Sequence, residues 1–295
     1  MICYGATCSP IQHHNDESEV HGALNQRIIQ VSFCGFLQLF LLSLTPATAF
    51  ATDPPTPPTV ASLKSESPTA ALPFFVGEEL IYEVRWMGFL AGSASMAVNG
   101  QVIRDGHNVY HIRSLAESSP FFSLFYYVRD MGETFVDVRE LYPRYFRLDQ
   151  HEGSRVMQRT VTFDQQRGIA IHTKNQEAPQ EVQVPTGVHD SLSSFYILRT
   201  LPLRVGQSIH LHTFANGKTY DVEVQILRRE KVEAYWGAAD ALVVRPLMRF
   251  QEILRQNGEV LIWVTDDHRR LPLRMRTTIK VGSIEATLID VKTMQ

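Results

Sequence analysis

Leu80-Ile81-Tyr82-Glu83-Val84-Arg85-Trp86 decides the fold class: Leu80, Tyr82, Val84 and Trp86 alternate with Ile81, Glu83 and Arg85. The same period of two returns in Tyr220-Asp221-Val222-Glu223-Val224-Gln225-Ile226. Successive side chains of an extended chain point to opposite faces, so these runs predict half-buried strands of an antiparallel sheet. Working outward, the same reading predicts strands at 91–102, 109–116, 133–138, 145–150, 156–163, 168–173, 209–214, 241–247, 260–265, 273–281 and 284–291. Asn99-Gly100, Asp105-Gly106, Asn216-Gly217, Asn257-Gly258 and Gly282-Ser283 are the expected turns, Asn-Gly being the strongest short hairpin signal. One segment breaks the pattern. Ser191 to Leu201 reads as a helix with Asp190 as its N-cap and Pro202 as its stop,. Leu192, Phe195, Tyr196 and Arg199 share one face, and Ile197 and Leu198 make the rest apolar, so the helix needs cover on more than one side,. A dozen strands are too many for one flat sheet. The expected architecture is mainly β: an antiparallel meander curled into an open or half barrel around one internal helix at about 190–201.

The chain has 295 residues, 44% hydrophobic and 20% charged, with 28 Lys and Arg against 31 Asp and Glu. This composition excludes a disordered chain and a multi-span helical membrane protein. A formal charge of -3 also argues against a nucleic-acid partner,. Residues 31–44 (VSFCGFLQLFLLSL) form an apolar run too short to span a bilayer comfortably,. Arg27 precedes it, and small residues at Ala47, Ala49 and Ala51 follow, which is the order of a secretory signal peptide,. Cleavage is expected after Ala51, or after Ala49, which places the protein in the periplasm; an uncleaved anchor is the competing reading. Residues 1–26 are polar and acidic for a leader, an atypical N-terminal extension. Losing 1–51 removes Asp16, Glu17, Glu19 and Arg27 and leaves 27 basic against 28 acidic residues. It also removes all three cysteines, Cys3, Cys8 and Cys34, so no thiol chemistry and no disulfide remain,. Residues 52–73 carry six of the fifteen prolines and read as an extended linker,. Residues 74–293 are then a single β-rich domain, of a size that its core alone can stabilise.

Catalytic motifs are scarce. The presumptive mature chain holds no phosphate-binding glycine loop, zincin motif, nucleophile elbow or C-x-x-C pair,. His210-Leu211-His212 puts two imidazoles on one strand face, but no third ligand is identifiable, and an exposed strand face is the expected outcome,. His189-Asp190-Ser191 has triad residue types in consecutive positions, where side chains diverge; Asp190 is better read as the helix cap,. Asp266-Asp267-His268-Arg269-Arg270 reads as a charged hairpin end with local ion pairs, and Arg274, Arg276 and Lys280 as a cationic stripe expected to pair across strands,. No metal or cofactor is expected. The most unusual feature is the run 120–127 (PFFSLFYY), five aromatics within seven residues. On a strand they cannot share one side, so either both sides are covered or part of the run lines an apolar cavity. The candidate ligand-lining residues are Trp86, Phe121, Phe122, Phe125, Tyr126, Phe195, Tyr196 and Trp263.

Gly77-Glu78 leading into Leu80-Ile81-Tyr82 and Trp86, then Ala91-Gly92, Asp130, Glu133, the segment Asp190 to Arg199, Gly206, Trp263, Asp266-Asp267, Arg270-Leu271-Pro272 and Gly282-Ser283-Ile284 together resemble the bacterial family catalogued as domain of unknown function 3108. The resemblance covers about residues 74 to 292. It implies an exported, mainly periplasmic β-rich domain without an established reaction. More distantly, a sheet curled around a helix is similar to the half-barrel of the periplasmic lipoprotein carriers, an analogy of fold and not of function.

Three functions compete on this reading. The first is non-catalytic binding of an apolar or lipid-like ligand in the curved sheet. The second is a scaffolding or interaction domain for a cell-envelope protein, with a tightly filled barrel. The third is a hydrolase near His189, Asp190 or His268.

Overall fold

The computed structural model describes residues 72–250, 253–254, 258–279 and 281–293; the expected leader and nearly all of the linker lie outside them. Fifteen strands form one sheet. They are β1 Glu78–Trp86, β2 Phe89–Arg104, β3 His107–Ser118, β4 Val128–Asp137, β5 Pro143–Glu152, β6 Arg155–Asp164, β7 Ile169–Lys174, β8 Gln180–Gln183, β9 Ser208–Ala215, β10 Lys218–Ala234, β11 Gly237–Phe250, β12 Ile253–Leu254, β13 Val260–Thr265, β14 Pro272–Thr278 and β15 Ser283–Thr293. Two helices interrupt the series, α1 Pro120–Ser123 and α2 Ser191–Thr200.

Sequence neighbours pair antiparallel except β8 with β9 and β12 with β13, β13 pairs with β11, and β1 also pairs with β15, so the order runs from β8 back to β1, then β15, β14, β13, β11, β10 and β9, with β12 attached to β11. The sheet is not closed by a ladder. Between its end strands β8 and β9 the segment after β8 makes a single parallel bridge, His189 to Thr213. There the His189 N–H donates to the His212 carbonyl at 2.8 Å and the Phe214 N–H to the His189 carbonyl at 2.7 Å. This is the open, curled meander that the alternation predicts.

Helix α2 fills the concavity. The Asp190 carboxylate accepts from the N–H groups of Leu192 and Ser193 at 2.8 and 2.9 Å, and the Ser193 hydroxyl accepts from the Asp190 N–H at 3.0 Å, a complete capping box,. Thr134 of β4 donates its hydroxyl to the second Asp190 oxygen at 2.6 Å, and Ser194 meets Thr213 of β9 at 2.8 Å, so two wall strands hold the N-terminal half. Leu192, Phe195, Tyr196, Leu198 and Arg199 are all buried. The space left between α2 and β9, β10 and β13 is about 20 Å³, enough for one water.

The C-terminal end of α2 is fixed by charge. Arg199 is buried and donates from Nη1 to Glu78 Oε1 at 2.7 Å and from Nη2 to Glu78 Oε2 at 3.2 Å and to the Pro73 carbonyl at 2.8 Å. Arg269 reaches the same carboxylate at 3.3 Å. Phe74 closes this end with edge-on contacts to Tyr110 and Tyr196, at 5.7 and 5.3 Å between centroids.

Several expectations change. Asn99-Gly100 is not a hairpin turn: it lies inside β2, where a register shift between Val98 and Gly100 marks a bulge that keeps the long strand in phase with β3,. Asp105-Gly106 and Asn216-Gly217 are turns, with positive φ at both residues (48° and 77°, 50° and 74°), as two-residue primed hairpins require,. Asn257 and Lys280 lie outside the described residues. The segment expected as a strand at 273–281 ends at Thr278 before the turn that carries Gly282. β8, β12 and α1 were not expected.

Candidate functional site

Helix α1 reshapes the aromatic run. Pro120 takes the first helical position, where its missing N–H costs nothing, and the Ser119 hydroxyl caps the turn by accepting from the Phe122 N–H at 3.3 Å. The loop is pinned to the sheet by the Ser119 N–H to the Ala91 carbonyl at 2.8 Å, and by the Ser118 hydroxyl, which meets Ser123 at 2.7 Å and accepts from the Val128 N–H at 2.9 Å. The run is therefore neither a covered strand nor the wall of an internal cavity. It projects its side chains from the end of the sheet.

Phe121 is 67% exposed, Leu124 79% and Phe125 69%. Across from them Phe89, 71% exposed, sits beside Leu90 and Met87 at the β1–β2 turn. Trp86 joins the two groups: its ring meets Phe122 edge-on at 6.0 Å, and its Nε1–H donates to the Val281 carbonyl at 3.0 Å. Phe121 contacts Phe122 and Phe125 at 6.4 and 5.5 Å. Met87, Phe89, Leu90, Phe121, Leu124 and Phe125 leave on the order of 650 Å² of apolar side chain in water, taking roughly 150–200 Å² for each when fully exposed,.

A cleft of about 470 Å³ opens beside this rim. Leu90, Pro120, Tyr127 and Ile289 give it apolar walls, and Glu83, Ser93, Glu117 and Ser119 give it polar ones. Gly92 belongs to its lining because β2 and β3 approach closely there: a Cβ would stand 2.1 Å from the Glu117 carbonyl oxygen.

The eight candidate lining residues do not converge. Trp86, Phe121, Phe122 and Phe125 form the rim. Tyr126 marks its inner edge, lying over Gly153 with its phenol pushed up to about 12 by burial and by the carboxylates of Glu152 and Asp130. Phe195 and Tyr196 are buried on α2, 6.4 Å apart, where burial raises the Tyr196 phenol above its usual range. Trp263 follows Ile262, which faces α2, so its ring lies on the opposite face of the sheet, bonded to Glu230 and covered by Arg274 at 5.6 Å,. Sequence reasoning missed Phe89 and Leu90, two consecutive exposed residues that open β2 before its burial pattern begins, and included Leu124 in the aromatic run without naming it as a lining residue.

The other constellations have structural explanations. His189 is buried beside Tyr142, and burial lowers its pKa to about 4, so the ring is neutral. Asp190 is the helix cap, with both oxygens engaged. His210 pairs with Asp221 at 3.2 Å on an exposed strand face, and among the described residues no group of three or more His, Cys, Asp or Glu is placed to hold a metal ion. Asp267 accepts from Thr265 Oγ1 and from the Arg269 and Arg270 N–H groups, the local hairpin end expected. Arg274 meets Glu285 across strands at 3.9 Å.

Comparison with curated proteins finds no match. Among solved structures the chain is similar to a β-barrel-like protein of domain of unknown function DUF1849 from Brucella abortus, at 10% identity and a TM-score of 0.50, covering 74% of this chain and 97% of that one. It is also similar to a protein described as a lipoprotein from Parabacteroides distasonis, at 11% identity, TM-score 0.35 and coverage of 75% and 97%. A protein described as exported, with a YmcC-like fold, from Bacteroides fragilis gives 10%, 0.30, and 75% and 98%. At such identities the first likeness concerns the fold alone, and the other two are too distant to bear an argument. The family described as protein of unknown function (DUF3108) matches residues 81–289, most of the sheet and all of α2. The resemblance read from the sequence is borne out, and the chain belongs to the DUF3108 family.

Proposed function

We propose that this protein is a non-catalytic binding module, exported to the periplasm, that takes an apolar or lipid-like ligand on its aromatic rim and the adjoining cleft. One observation carries the reading: six large apolar side chains are held in water around the β1–β2 turn and around α1, beside a 470 Å³ cleft. Hydrophobic burial would favour removing them from water. The concave face is unsuited to this role because α2 occupies it. Export is supported by the apolar run 31–44 and the small residues before Ala51, with cleavage after Ala51 or Ala49,. The hydrolase reading gains nothing from Asp190, whose two oxygens are taken up by the α2 cap and by Thr134. Native mass spectrometry of protein purified without detergent is expected to find a co-purifying lipid-like mass, and delipidation is expected to lower the melting temperature. Absence of both would refute the proposal.

The filled interior favours a second reading, an interaction domain for an envelope protein. Under it, crosslinking in cells recovers a protein partner at the rim or at the end strands β8 and β9, and no lipid co-purifies.

A further inference from the structure

Toward the rim from α2, the inner face of the sheet turns polar. Asp130 of β4 faces Gln150 of β5 across the ladder, and Glu152 stands one rung nearer the rim, opposite Val128. Asp130 lies about 13 Å along β4 from Thr134, the strand's contact with the helix cap,. Asp130, Gln150 and Glu152 are 1%, 4% and 4% exposed. Asp130 Oδ1 accepts from the His151 N–H at 2.9 Å, and Gln150 Nε2 donates to Glu152 Oε1 at 3.4 Å. Asp130 Oδ2 and Gln150 Oε1 are then buried with no hydrogen-bond partner among the described residues. Both are acceptors, on directly opposed residues whose Cβ atoms stand about 5 Å apart. A buried carboxylate oxygen without a donor is costly, so the pair calls for a cation or a donor. From β6, Arg155 faces this group opposite Glu152; it is exposed and bonds Met157 Sδ at 3.6 Å. From the rim loop, Tyr126 lies over Gly153, where burial, then Glu152 and Asp130, raise its phenol to about 12.

We propose that Asp130, Gln150 and Glu152 form a calcium site on the inner face of β4 and β5, just below the rim. The donors are all oxygens, which suits a hard cation and not zinc or copper. Calcium takes carboxylates and amide carbonyls together, in flexible geometry at about 2.3–2.6 Å. Magnesium keeps several waters in a strict octahedron, for which side chains this buried leave little room. Gln150 completes the set: its amide nitrogen is tied to Glu152, so its carbonyl is left to join Asp130 Oδ2 on the ion. A bound ion ties β4 to β5 beneath Tyr126 and braces the loop that carries the rim. This site adds to the binding reading above without depending on it.

The test is titration of the full chain, stripped of metals by a chelator, with calcium, magnesium and terbium chlorides. Calcium at about 5 mM is expected to raise the melting temperature by about 3–6 °C, for a dissociation constant of about 0.5 mM, within the range of extracellular calcium modules. Magnesium should give less than about a third of that shift. Terbium should show tyrosine-sensitised emission that calcium displaces, and Tyr126→Phe should dim this emission while leaving the calcium shift in place. Asp130→Asn keeps an acceptor for the His151 N–H and turns a donor toward Gln150 Oε1,. It is expected to melt no lower than the calcium-free wild type and to lose the calcium shift. Gln150→Met removes the neutral ligand and is expected to weaken calcium binding about tenfold. No response to calcium means that water satisfies the two oxygens and overturns the proposal. An equal response to magnesium, or a calcium shift that survives both Asp130→Asn and Gln150→Met, overturns it as well.

Discussion

Replacing Arg199 by methionine removes the charged side chain that bonds the end of α2 to the first strand and to the incoming chain at Pro73. The Glu78 carboxylate has no exposure to solvent, and once Arg199 is gone it keeps only Arg269, at 3.3 Å and on one oxygen. Breaking a buried pair by removing one partner costs about 3–5 kcal/mol, because the remaining charge is left desolvated. The Pro73 and Arg269 carbonyls lose a donor as well. For a domain of this size about 2–4 °C of melting temperature accompany each kcal/mol, so Arg199→Met is expected to lower the melting point on the order of 10 °C. Glu78→Leu alone leaves Arg199 buried and unpaired and should cost a similar amount. The double variant Glu78→Leu/Arg199→Met removes both charges, and replacing a buried pair by apolar groups is often neutral. It should therefore be more stable than either single variant, with a coupling of about 2 kcal/mol or more. Urea unfolding followed by circular dichroism measures all four proteins. Single variants that cost less than about 1 kcal/mol, or a double variant that equals the sum of the singles, would refute the argument that this charge pair fixes the helix.

Burial holds His189 neutral, with a pKa of about 4 against 6.5 for a free imidazole. Between those values the unfolded chain binds the extra proton, so stability rises with pH across that window and is lost as pH falls from about 6.5 to 4, by about 3 kcal/mol for this one group. Thermal melts at stepped pH should show the slope, and His189→Phe should flatten it; an unchanged slope would show that other groups set it. Gly92→Ala would drive a methyl against the Glu117 carbonyl and is expected to destabilise by about 1–3 kcal/mol, whereas Gly100→Ala, with open space around it, should cost well under half of that; equal melting temperatures would contradict the close approach of β2 and β3. Phe121→Ser with Phe125→Ser should shift stability by no more than about 0.5 kcal/mol, because neither ring is buried in the core,, while reducing binding of a hydrophobic fluorescent dye. A large loss of stability would mean that these rings pack inward.

The period of two located most of the strands, since a half-buried sheet writes its two faces directly into the sequence. The capping residue Asp190 and the stop at Pro202 were equally legible, being local chemistry. What was not legible depends on distance or on competition. Glu78 and Arg199 lie 121 positions apart, and neither residue type announces burial. Gln180–Gln183 forms β8 with a polar sequence because an existing edge, β7, accepts its hydrogen bonds. Asn99-Gly100 has the composition of a turn, yet the flanking alternation on both sides continues as one strand, and the extra residue is absorbed as a bulge. The aromatic run suggests core or cavity wall because large rings are usually buried. Pro120 and Ser119 instead begin a helical turn, which turns those rings outward. The eight candidate residues share an aromatic type and not a place, and the fold distributes them over a rim, a helix and an outer face.

Under the proposed function an apolar ligand is held on the outside rim and not inside the sheet. Photocrosslinking the full chain with a diazirine-bearing fatty acyl probe, followed by peptide mapping, tests it most directly. The expected adducts fall on Met87 to Leu90 and Phe121 to Tyr127, at probe concentrations that leave the fold intact. Adducts on α2 or on the inner residues of β9, β10 and β13 would contradict it.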